Sequence, residues 1–398
     1  MRITGRKKFG TRTAANPPSN VTVLHVITDL GGGGAEAMLA RLVIADQQRG
    51  SAKNVVVTLL DGGIHVRTLR EAGIEVHGLG LDRFSRFPFA LVKLVAIIRQ
   101  LRPKLVMTWL YHADLLGTLA AVASGLGVGR VIWNIRCSNL DFSHYAYTTR
   151  LIVKLLAWAS PLPKLVATNS LEGRRAHEKL GYRPRNWILL PNGLDTREYR
   201  PDKLDRLDVR SELEFNKETF AVGMIARADP QKDHDTFLAA ATAVRSKFPH
   251  VRFVLVGRDT HRFSGSDHVI SLGERRDVPR LLRGLDLVVL SSAYGEGTPN
   301  IIAEAMATGI PCIATDVGDS AFLIGSWGIV VPPKKPKELA AAIETLVQEN
   351  SERRGVRCRE GREAIHQGHN IDRTVRIYRE IRDAFLQNRE APQADLAA

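Results

Sequence analysis

The chain has 398 residues, of which 44% are hydrophobic and 25% are charged. This composition is typical of a soluble globular protein with room for two domains, and it excludes a disordered or fibrous chain. The formal net charge of +14 attracts phosphate groups, whether in nucleic acid, in nucleotide sugars or on an anionic membrane. We expect no nucleic-acid partner, because the sequence has no helix-turn-helix, zinc-finger spacing or RNP-like aromatic strand.

The cysteines and the N-terminal segment indicate the cellular compartment. Cys137, Cys312 and Cys358 are far apart and lack a CxxC pattern or a histidine at ligand spacing. This argues for a reducing cytosol and against a zinc site. Residues 1–19 are basic and have no apolar stretch of the kind found in secretory signals, so we expect a disordered basic tail and a cytoplasmic protein.

The first half of the chain alternates apolar strand patterns with helical patterns. Such alternation predicts a parallel, doubly wound α/β domain, which we place at residues 20–195. The predicted strands cover residues 21–27, 54–60, 75–79, 105–109, 130–134, 165–170 and 187–190.

Four glycines, at positions 31–34, separate the first strand from the first helix. They let the backbone approach a phosphate or a sugar at the helix N-terminus, although a turn with positive φ would itself explain one glycine. The pattern is not the dinucleotide fingerprint, because Glu36 and Ala37 stand where a third glycine would be needed. A dehydrogenase is therefore disfavoured.

Two segments with helical patterns, Phe87–Arg99 and Thr148–Trp158, mix Lys and Arg with aliphatic residues. They fit a membrane interface, and they also fit core helices whose basic side chains reach out to solvent. Both are shorter than the roughly 20 apolar residues of a membrane span.

Polar residues follow two later strands of the first domain, where ligands of open α/β sheets bind. His112 comes at the start of a helix. It would orient a hydroxyl of a bound substrate or contact a second substrate, or else it would only cap and pack the helix. Arg136 follows the next strand. A guanidinium is a poor general base but a good clamp for phosphate or carboxylate.

A change in composition marks the second half. Residues 196–218 are densely charged and are predicted to form a linker. The strand–helix alternation then resumes in a second domain at 219–370, followed by an amphipathic helix at 371–387 and a frayed tail at 388–398.

The second domain opens with a strand that contains Gly223 and ends in a turn with two cations, Arg227 and Lys232. These cations are suited to neutralising the charge that develops on a leaving diphosphate. Arg and Lys also flank strand ends simply as solvated charges.

Two carboxylates, Glu296 and Glu304, lie on either side of a loop-to-helix junction, with seven residues between them. Thr298 is predicted as the N-cap and Pro299 as the first helical residue, and Gly309 is predicted to end the helix. One carboxylate can then bind ribose hydroxyls while the helix start faces a diphosphate or a sugar. An isolated pair of this kind would more simply be two surface residues.

Taken in order, Gly223, Arg227, Lys232, Glu296 and Glu304 resemble the donor site of family 4 retaining glycosyltransferases. The resemblance covers nearly the whole chain and implies the GT-B fold: two Rossmann-like, doubly wound parallel-sheet domains that face each other across a cleft. It implies that the helix at 371–387 crosses back to the first domain. It implies catalytic roles for Arg227, Lys232 and Glu296, and acceptor binding by His112 and Arg136. The donor-binding residues it implies are Gly33, Gly34, Gly223, Gly297, Thr298, Pro299, Asn300 and Glu304.

Three positions depart from the family pattern. Arg136 stands where some relatives have a histidine, Arg258 and Asp259 follow Gly257 where Gly-Asp-Gly is common, and Asp319 replaces a second glycine after Gly318. The last two departures lie in nucleotide and sugar loops, so the resemblance does not extend to the identity of the donor.

The expected function is transfer of a sugar, with retention of configuration, from a nucleoside diphosphate sugar to a glycan or lipid-linked acceptor, in polysaccharide or glycolipid biosynthesis. The family generally works without a metal or another cofactor, and no Asp-x-Asp-like metal motif is present. The alternatives are a nucleotide-sugar epimerase of the same fold and a non-catalytic sugar-nucleotide-binding protein. Peripheral binding to an anionic membrane at its inner face is a further expectation.

Overall fold

The computed structural model describes residues 21–50, 52–81, 86–137, 146–263 and 268–389. The predicted basic tail at 1–19 lies outside these ranges, as do residues 390–398 of the predicted C-terminal tail.

The first domain is built on a sheet of parallel strands in the order β3-β2-β1-β4-β5-β6-β7. Its central strands are rich in Val, Ile and Leu and are buried on both faces, as parallel strands between two helical layers must be. The strands are β1 (Val21–Ile27), β2 (Lys53–Thr58), β3 (Glu75–Gly78), β4 (Leu105–Trp109), β5 (Val131–Ile135), β6 (Leu165–Thr168) and β7 (Trp187–Leu189).

Helices cover both faces of this sheet. They are α1 (Gly34–Gln48), α2 (Ile64–Glu71), α3 (Phe87–Leu101), α4 (Tyr111–Ser124), α5 (Tyr147–Ala159) and α6 (Leu171–Lys179). Helices α3, α4 and α5 share one apolar core with the sheet, and α1 and α2 share the core on the opposite face.

The second domain repeats the design on a parallel sheet in the order β10-β9-β8-β11-β12-β13. The strands are β8 (Phe220–Ile225), β9 (Val251–Val256), β10 (Val269–Ser271), β11 (Leu287–Leu290), β12 (Cys312–Thr315) and β13 (Gly328–Val331). The helices of this domain are α7 (Lys203–Glu212), α8 (His234–Lys247), α9 (Val278–Gly284), α10 (Asn300–Ala307), α11 (Ser320–Ile324), α12 (Pro336–Val347) and α13 (Ser351–Gly368). The last helix, α14 (Ile371–Leu386), packs on the first domain. The predicted fold class, two Rossmann-like domains, is confirmed.

Each sheet has a point where the strand order reverses, between β1 and β4 in the first and between β8 and β11 in the second. Ligands of open α/β sheets bind at the carboxyl ends of strands at such points. The glycine run, Arg227 and Glu296 lie in the loops after these strands, and His112 lies in the first turn of the helix that follows β4. The topology therefore directs the candidate residues toward one cleft.

The segment predicted as a charged linker, 196–218, contains helix α7. Val209 of this helix is fully buried in the core of the second domain, and the charged residues Arg206 and Arg210 both pair with Asp286 just before β11. The charges therefore fasten the segment to the second domain, and a helix stands where a linker was expected.

The chain passes between the domains twice, and the two crossings pair with each other. The Leu194 N–H donates to the carbonyl of His369 at 2.8 Å, and the Ile371 N–H donates to the carbonyl of Leu194 at 2.9 Å. Helix α14 then packs in the first domain, with Tyr378 fully buried beside the core formed with α1.

A buried carboxylate fastens α14 to the first domain. Asp46 of α1 is inaccessible to solvent and receives Arg379 at 2.7 Å and Arg382 at 3.2 Å, both from α14. It also accepts a hydrogen bond from the side chain of Asn54 at 2.9 Å. Such a network is stabilising only while each charge keeps its partners.

We predict that Asp46→Asn lowers the free energy of unfolding by about 3 kcal/mol, because it removes the buried carboxylate that Arg379 and Arg382 share. The matched control is Asp372→Asn, which removes a partner of Arg49 at the same interface, where the Asp372 side chain is 57% exposed. That change should cost less than about 1 kcal/mol. Urea denaturation followed by tryptophan fluorescence measures both, and equal effects would contradict the role given to Asp46.

Candidate donor site in the interdomain cleft

The loop between β11 and α10 carries the first of the two predicted carboxylates. Helix α10 begins at Asn300, with Pro299 in the capping position and no side-chain cap. The predictions of Thr298 as N-cap and of Pro299 as the first helical residue are therefore both wrong, each by one residue. The Thr298 hydroxyl instead donates to the carbonyl of Asn169 in the first domain at 3.1 Å, which draws the loop across the cleft. Gly309 follows the helix end with φ of 79°, as predicted.

Lys232 and Glu296, predicted separately, form one ion pair. The Lys232 Nζ lies 2.5 Å from Glu296 Oε1, and the Ser292 hydroxyl donates to the same oxygen at 2.5 Å. Glu296 is 7% exposed, so its charge is compensated inside the protein rather than by water. The pair fixes the carboxylate at the cleft while the ammonium keeps further donors for a ligand.

Arg227 lies in the loop after β8, beside the same region. Its Nε donates to Asp229 at 3.2 Å, and its side chain is 41% exposed. Two glycines hold the neighbouring backbones close. A Cβ on Gly257, which has φ of 148°, would lie 2.2 Å from the carbonyl oxygen of Ala226, and one on Gly318, at φ of 63°, would lie 2.3 Å from that of Glu296. Side chains at these glycines would displace the loops that carry Arg227 and Glu296.

The glycine run of the first domain meets the start of α10 across the cleft. The Asn300 side chain donates to the carbonyl of Gly34 at 3.2 Å, and a Cβ on Gly34 would lie 3.2 Å from the same amide nitrogen. A Cβ on Gly33 would collide with the side chain of Glu36. Glycine at position 34 allows the two domains to touch, and glycine at position 33 leaves room for the side chain of Glu36.

The second carboxylate, Glu304, is paired with an arginine that the sequence did not reveal. Arg41 of α1 donates to Glu304 Oε1 at 2.7 Å and to the Tyr199 hydroxyl at 3.1 Å. Glu304 is 8% exposed, and Glu304 Oε1 is the oxygen that contacts Arg41. No motif surrounds Arg41, since its partner is 263 residues away in the chain.

Three asparagines and Arg136 line the seam between the domains. Arg136, 8% exposed, donates to the carbonyl of Leu190 at 3.0 Å and to Asn192 Oδ1 at 2.8 Å. Asn192 in turn donates to the carbonyl of Thr298 at 3.1 Å and to Asn300 Oδ1 at 2.7 Å. Asn169 and Asn192 were not predicted, because isolated asparagines after strands carry no motif.

Two predicted residues lie apart from this network. Gly223 lies inside β8, where a Cβ would be 2.3 Å from the side chain of Leu285, so the contact that requires glycine is a packing contact. His112 is half-buried on the first turn of α4, and burial lowers its pKa. Leu110, just before that helix, has φ of 71°, a strained value for a non-glycine residue at the carboxyl end of β4.

Asp319, one of the departures from the family pattern, joins the domains. Its carboxylate accepts hydrogen bonds from the backbone N–H groups of Leu171 and Glu172, both at 3.1 Å, at the N-terminus of α6. A carboxylate is favourable there because the first N–H groups of a helix lack partners.

Within the described ranges, no group of three or more His, Cys, Asp or Glu side chains is placed to hold a metal ion. None of the helices in those ranges is long and apolar enough to cross a membrane.

Comparison with known proteins places this geometry in a family. The family model described as Glycosyltransferase Family 4 matches residues 32–198, and the one described as Glycosyl transferases group 1 matches residues 219–349. The chain belongs to the family 4 glycosyltransferases. Its fold is that of GT-B enzymes such as Anabaena HepE in complex with UDP and glucose. The TM-score to that structure is 0.77, with 22% identity over 90% of this chain and 98% of the other.

Curated relatives match over shorter stretches. An Escherichia coli UDP-Gal:alpha-D-GlcNAc-diphosphoundecaprenol alpha-1,3-galactosyltransferase is 26% identical over 59% of this chain and 63% of its own length. A D-inositol 3-phosphate glycosyltransferase of Rhodococcus erythropolis is 30% identical over 46% of each chain. The chain thus spans less than two thirds of either relative.

Glu36 provides a pH-dependent feature of the cleft. Burial at the start of α1 raises its pKa from the usual 4.5 to about 7, and the nearby Asp29 adds to the rise while Arg227 opposes it. The folded state therefore holds a proton that the unfolded state releases. The contribution of Glu36 to stability is complete below about pH 4.5 and is lost as the pH rises to about 7.

We predict that Glu36→Gln, which cannot ionise, is more stabilising relative to wild type at pH 8 than at pH 5. Denaturation at the two pH values measures the difference. Glu338→Gln is the control for losing a first-turn glutamate, since Glu338 is exposed at the start of α12. If the Glu36 variant shifts equally at both pH values, the raised pKa is refuted.

Proposed function

We propose that the protein transfers a sugar, with retention of configuration, from a nucleoside diphosphate sugar to a glycan or lipid-linked acceptor. The observation that carries the proposal is the Lys232–Glu296 ion pair, whose carboxylate lies in the loop that leads into α10. Asn300, at the start of that helix, donates to the Gly34 carbonyl of the other domain. This arrangement supplies a positive charge, a helix N-terminus and a fixed carboxylate on neighbouring segments of the second domain. Those are the groups that a sugar diphosphate needs.

The diphosphate would be held by the second domain. Arg227, which is partly exposed, can fork onto phosphate oxygens, and Lys232 adds a point charge. The N-terminus of α10 contributes its dipole. Together they would stabilise the charge that develops on the departing diphosphate, which is the role that a divalent cation plays in other transferases.

The two carboxylates would hold the sugar and the ribose. Glu296, fixed by Lys232, would contact the transferred sugar and steady positive charge at its anomeric carbon. Glu304 would bind the ribose hydroxyls with Oε2, because Oε1 accepts from Arg41. Arg41 would therefore orient Glu304 rather than block it. His112 would face the acceptor from the first domain.

The relatives support the acceptor class. The name of the Escherichia coli relative specifies a sugar on diphosphoundecaprenol, and that of the Rhodococcus relative specifies an inositol phosphate. A lipid-linked or glycan acceptor in polysaccharide or glycolipid biosynthesis fits the first. Retention of configuration is taken from the family resemblance.

A thermal-shift screen of nucleoside diphosphate sugars tests the proposal directly. A ligand present at about 100 times its dissociation constant stabilises the native state by about 2.7 kcal/mol. Binding by at least one nucleotide sugar, followed by acceptor-dependent release of the nucleoside diphosphate, is expected. Turnover of the donor without any acceptor would favour an epimerase, and no binding across the screen would contradict the proposal.

We predict that Arg227→Ala and Lys232→Ala each lower turnover by about 10²–10³-fold, the range for loss of one preorganised charge-stabilising group. Arg258→Ala is the matched control, because Arg258 lies in the adjacent loop after β9 and its side chain is 63% exposed. Circular dichroism verifies folding, since Lys232→Ala leaves the buried Glu296 without its cation. Near-wild-type turnover in both site variants would rule out the diphosphate clamp.

A second expected outcome concerns metal ions. We predict that activity persists in excess EDTA, because the cations assigned to the diphosphate are side chains. Initial rates with EDTA, Mg²⁺ and Mn²⁺ measure this. Complete loss that Mg²⁺ or Mn²⁺ restores would show that a metal takes part.

The outer surface of the first domain supports a membrane-bound acceptor. Helices α3, α4 and α5 bury one face in the core, and apolar side chains also occupy their outer faces. Trp158 is 79% exposed, Val92 is 68% exposed and Phe89 is 65% exposed. The exposed Lys93 and Lys154 lie on the same helices. Apolar side chains with basic neighbours fit an anionic membrane interface.

We predict that the protein cosediments with anionic vesicles at near-physiological salt and that binding weakens as salt rises. Deleting residues 1–19 should weaken binding only in part, because the apolar helix faces remain. Combined Phe89→Glu and Trp158→Glu should abolish it. Leu204→Glu, at a residue of α7 that is 74% exposed, is the control. Protein that stays in the supernatant would indicate a soluble acceptor.

A further inference from the structure

Arg136 is a buried cation without a counter-charge. It is 8% exposed at the carboxyl end of β5, and no carboxylate pairs with it among the residues that the structure describes. Desolvation lowers its pKa to about 9, so it remains charged at neutral pH. Burying a charge without a counter-charge is costly.

The geometry of the guanidinium shows which part is unused. One terminal nitrogen, Nη1, donates to the carbonyl of Leu190 and to Asn192, and the central carbon, Cζ, lies 4.8 Å from the centroid of the Trp109 ring. The atoms Nε and Nη2 are buried and have no hydrogen-bond partner within the described ranges. These two nitrogens donate in parallel from one edge of the group. That edge matches the two oxygens of a carboxylate or phosphate.

A purely structural role does not require this residue. The two bonds that Arg136 makes are to neutral acceptors, a backbone carbonyl and an asparagine side chain. A neutral amide donor would serve them at a lower desolvation cost. The contact with the Trp109 ring offsets part of the cost of burying the charge, and the unpaired edge is what the described contacts leave unexplained.

The position of Arg136 in the fold connects the residue to the proposed reaction. The carbonyl oxygen of Arg136 lies 3.4 Å from where a Cβ on Gly297 would stand, and Gly297 follows Glu296. Asn169, 3.1 Å from the same point, has a buried Oδ1 without a partner. Asn192, which anchors Arg136, also bonds Asn300 at the start of α10. Arg136 therefore lies in the seam beside the loop assigned to the sugar.

We propose that Arg136 binds an oxyanion carried by a substrate sugar, a carboxylate or a phosphate, through Nε and Nη2. The inference rests on the proposed function and narrows its substrate class to an anionic sugar. The oxyanion has two sources, the transferred sugar of the donor or the acceptor. Arg136 is then a specificity residue that recognises charge, while Glu296 and Lys232 act on the bond that is transferred.

The donor arm of the test compares nucleotide sugars that differ only at C6. Dissociation constants of the full-length protein are measured for UDP-glucose and UDP-glucuronate, UDP-galactose and UDP-galacturonate, and GDP-mannose and GDP-mannuronate. If the donor carries the anion, the uronate binds about tenfold to a hundredfold tighter within one pair, the range for charge-assisted hydrogen bonds. In Arg136→Gln this preference falls to near unity.

The acceptor arm uses the protein saturated with UDP or GDP. Glucuronate, glucose 6-phosphate and inorganic phosphate are titrated against glucose, and binding is followed by thermal shift. If the acceptor carries the anion, only the charged compounds bind, and Arg136→Gln removes that binding. Arg136→Lys, which keeps the charge but loses the paired donors, should restore it in part.

Stability separates this role from a structural one. Arg136→Gln should leave the melting temperature of the ligand-free protein unchanged or raise it, since it removes an uncompensated buried charge. A lower melting temperature together with unchanged selectivity would overturn the proposal. So would nucleotide binding without Arg136-dependent selectivity for anions in either arm, and that result would leave the proposed glycosyl transfer intact. Failure to bind any nucleotide would count against the proposed function itself.

Discussion

The contact between the loop at 296–300 and the first domain is the constraint on which the site depends. Thr298 donates to the Asn169 carbonyl, and Asn192 donates to the Thr298 carbonyl and to the Asn300 side chain. Because two of these bonds end on backbone carbonyls, they fix the path of the chain and not only its side chains. Glu296 is thereby held at the seam, and the helix start is turned toward the glycine run.

Charge is distributed unevenly along this seam. Glu296 and Glu304 are both nearly buried, and each has a basic partner, Lys232 within its own domain and Arg41 from the other. A buried ion pair adds little net stability, but loss of either member is costly. These pairs therefore set the positions of the carboxylates more than they stabilise the fold. Arg136 contrasts with them, because no acidic partner offsets its burial within the described residues.

The periodicity of the sequence predicted the fold. The contacts along the seam could not be predicted, because they join residues that are far apart in the chain. The predicted strands at 21–27 and 105–109 match β1 and β4, because alternation of apolar strands and amphipathic helices is a local signal. Several others overran: the strand predicted at 165–170 ends at Thr168, where Asn169 turns toward the other domain. The prediction of a linker at 196–218 missed helix α7 for another reason. Its arginines pair with Asp286, about 80 residues away, and no local pattern records that.

The difference between local patterns and contacts across the chain also explains which residues of the candidate site could be predicted. Lys232 and Glu296 lie in recognisable sequence motifs and could be predicted. Arg41, Asn169 and Asn192 could not be predicted, because only the fold brings them close to those motifs. Asp319 and Arg136 are departures from the sequence pattern of the family. In the structure Asp319 accepts hydrogen bonds from the first two N–H groups of α6 across the seam, which accounts for its charge through a helix N-terminus. No such contact within the described chain explains the charge of Arg136. The explanation must therefore be sought in a ligand that binds in the cleft.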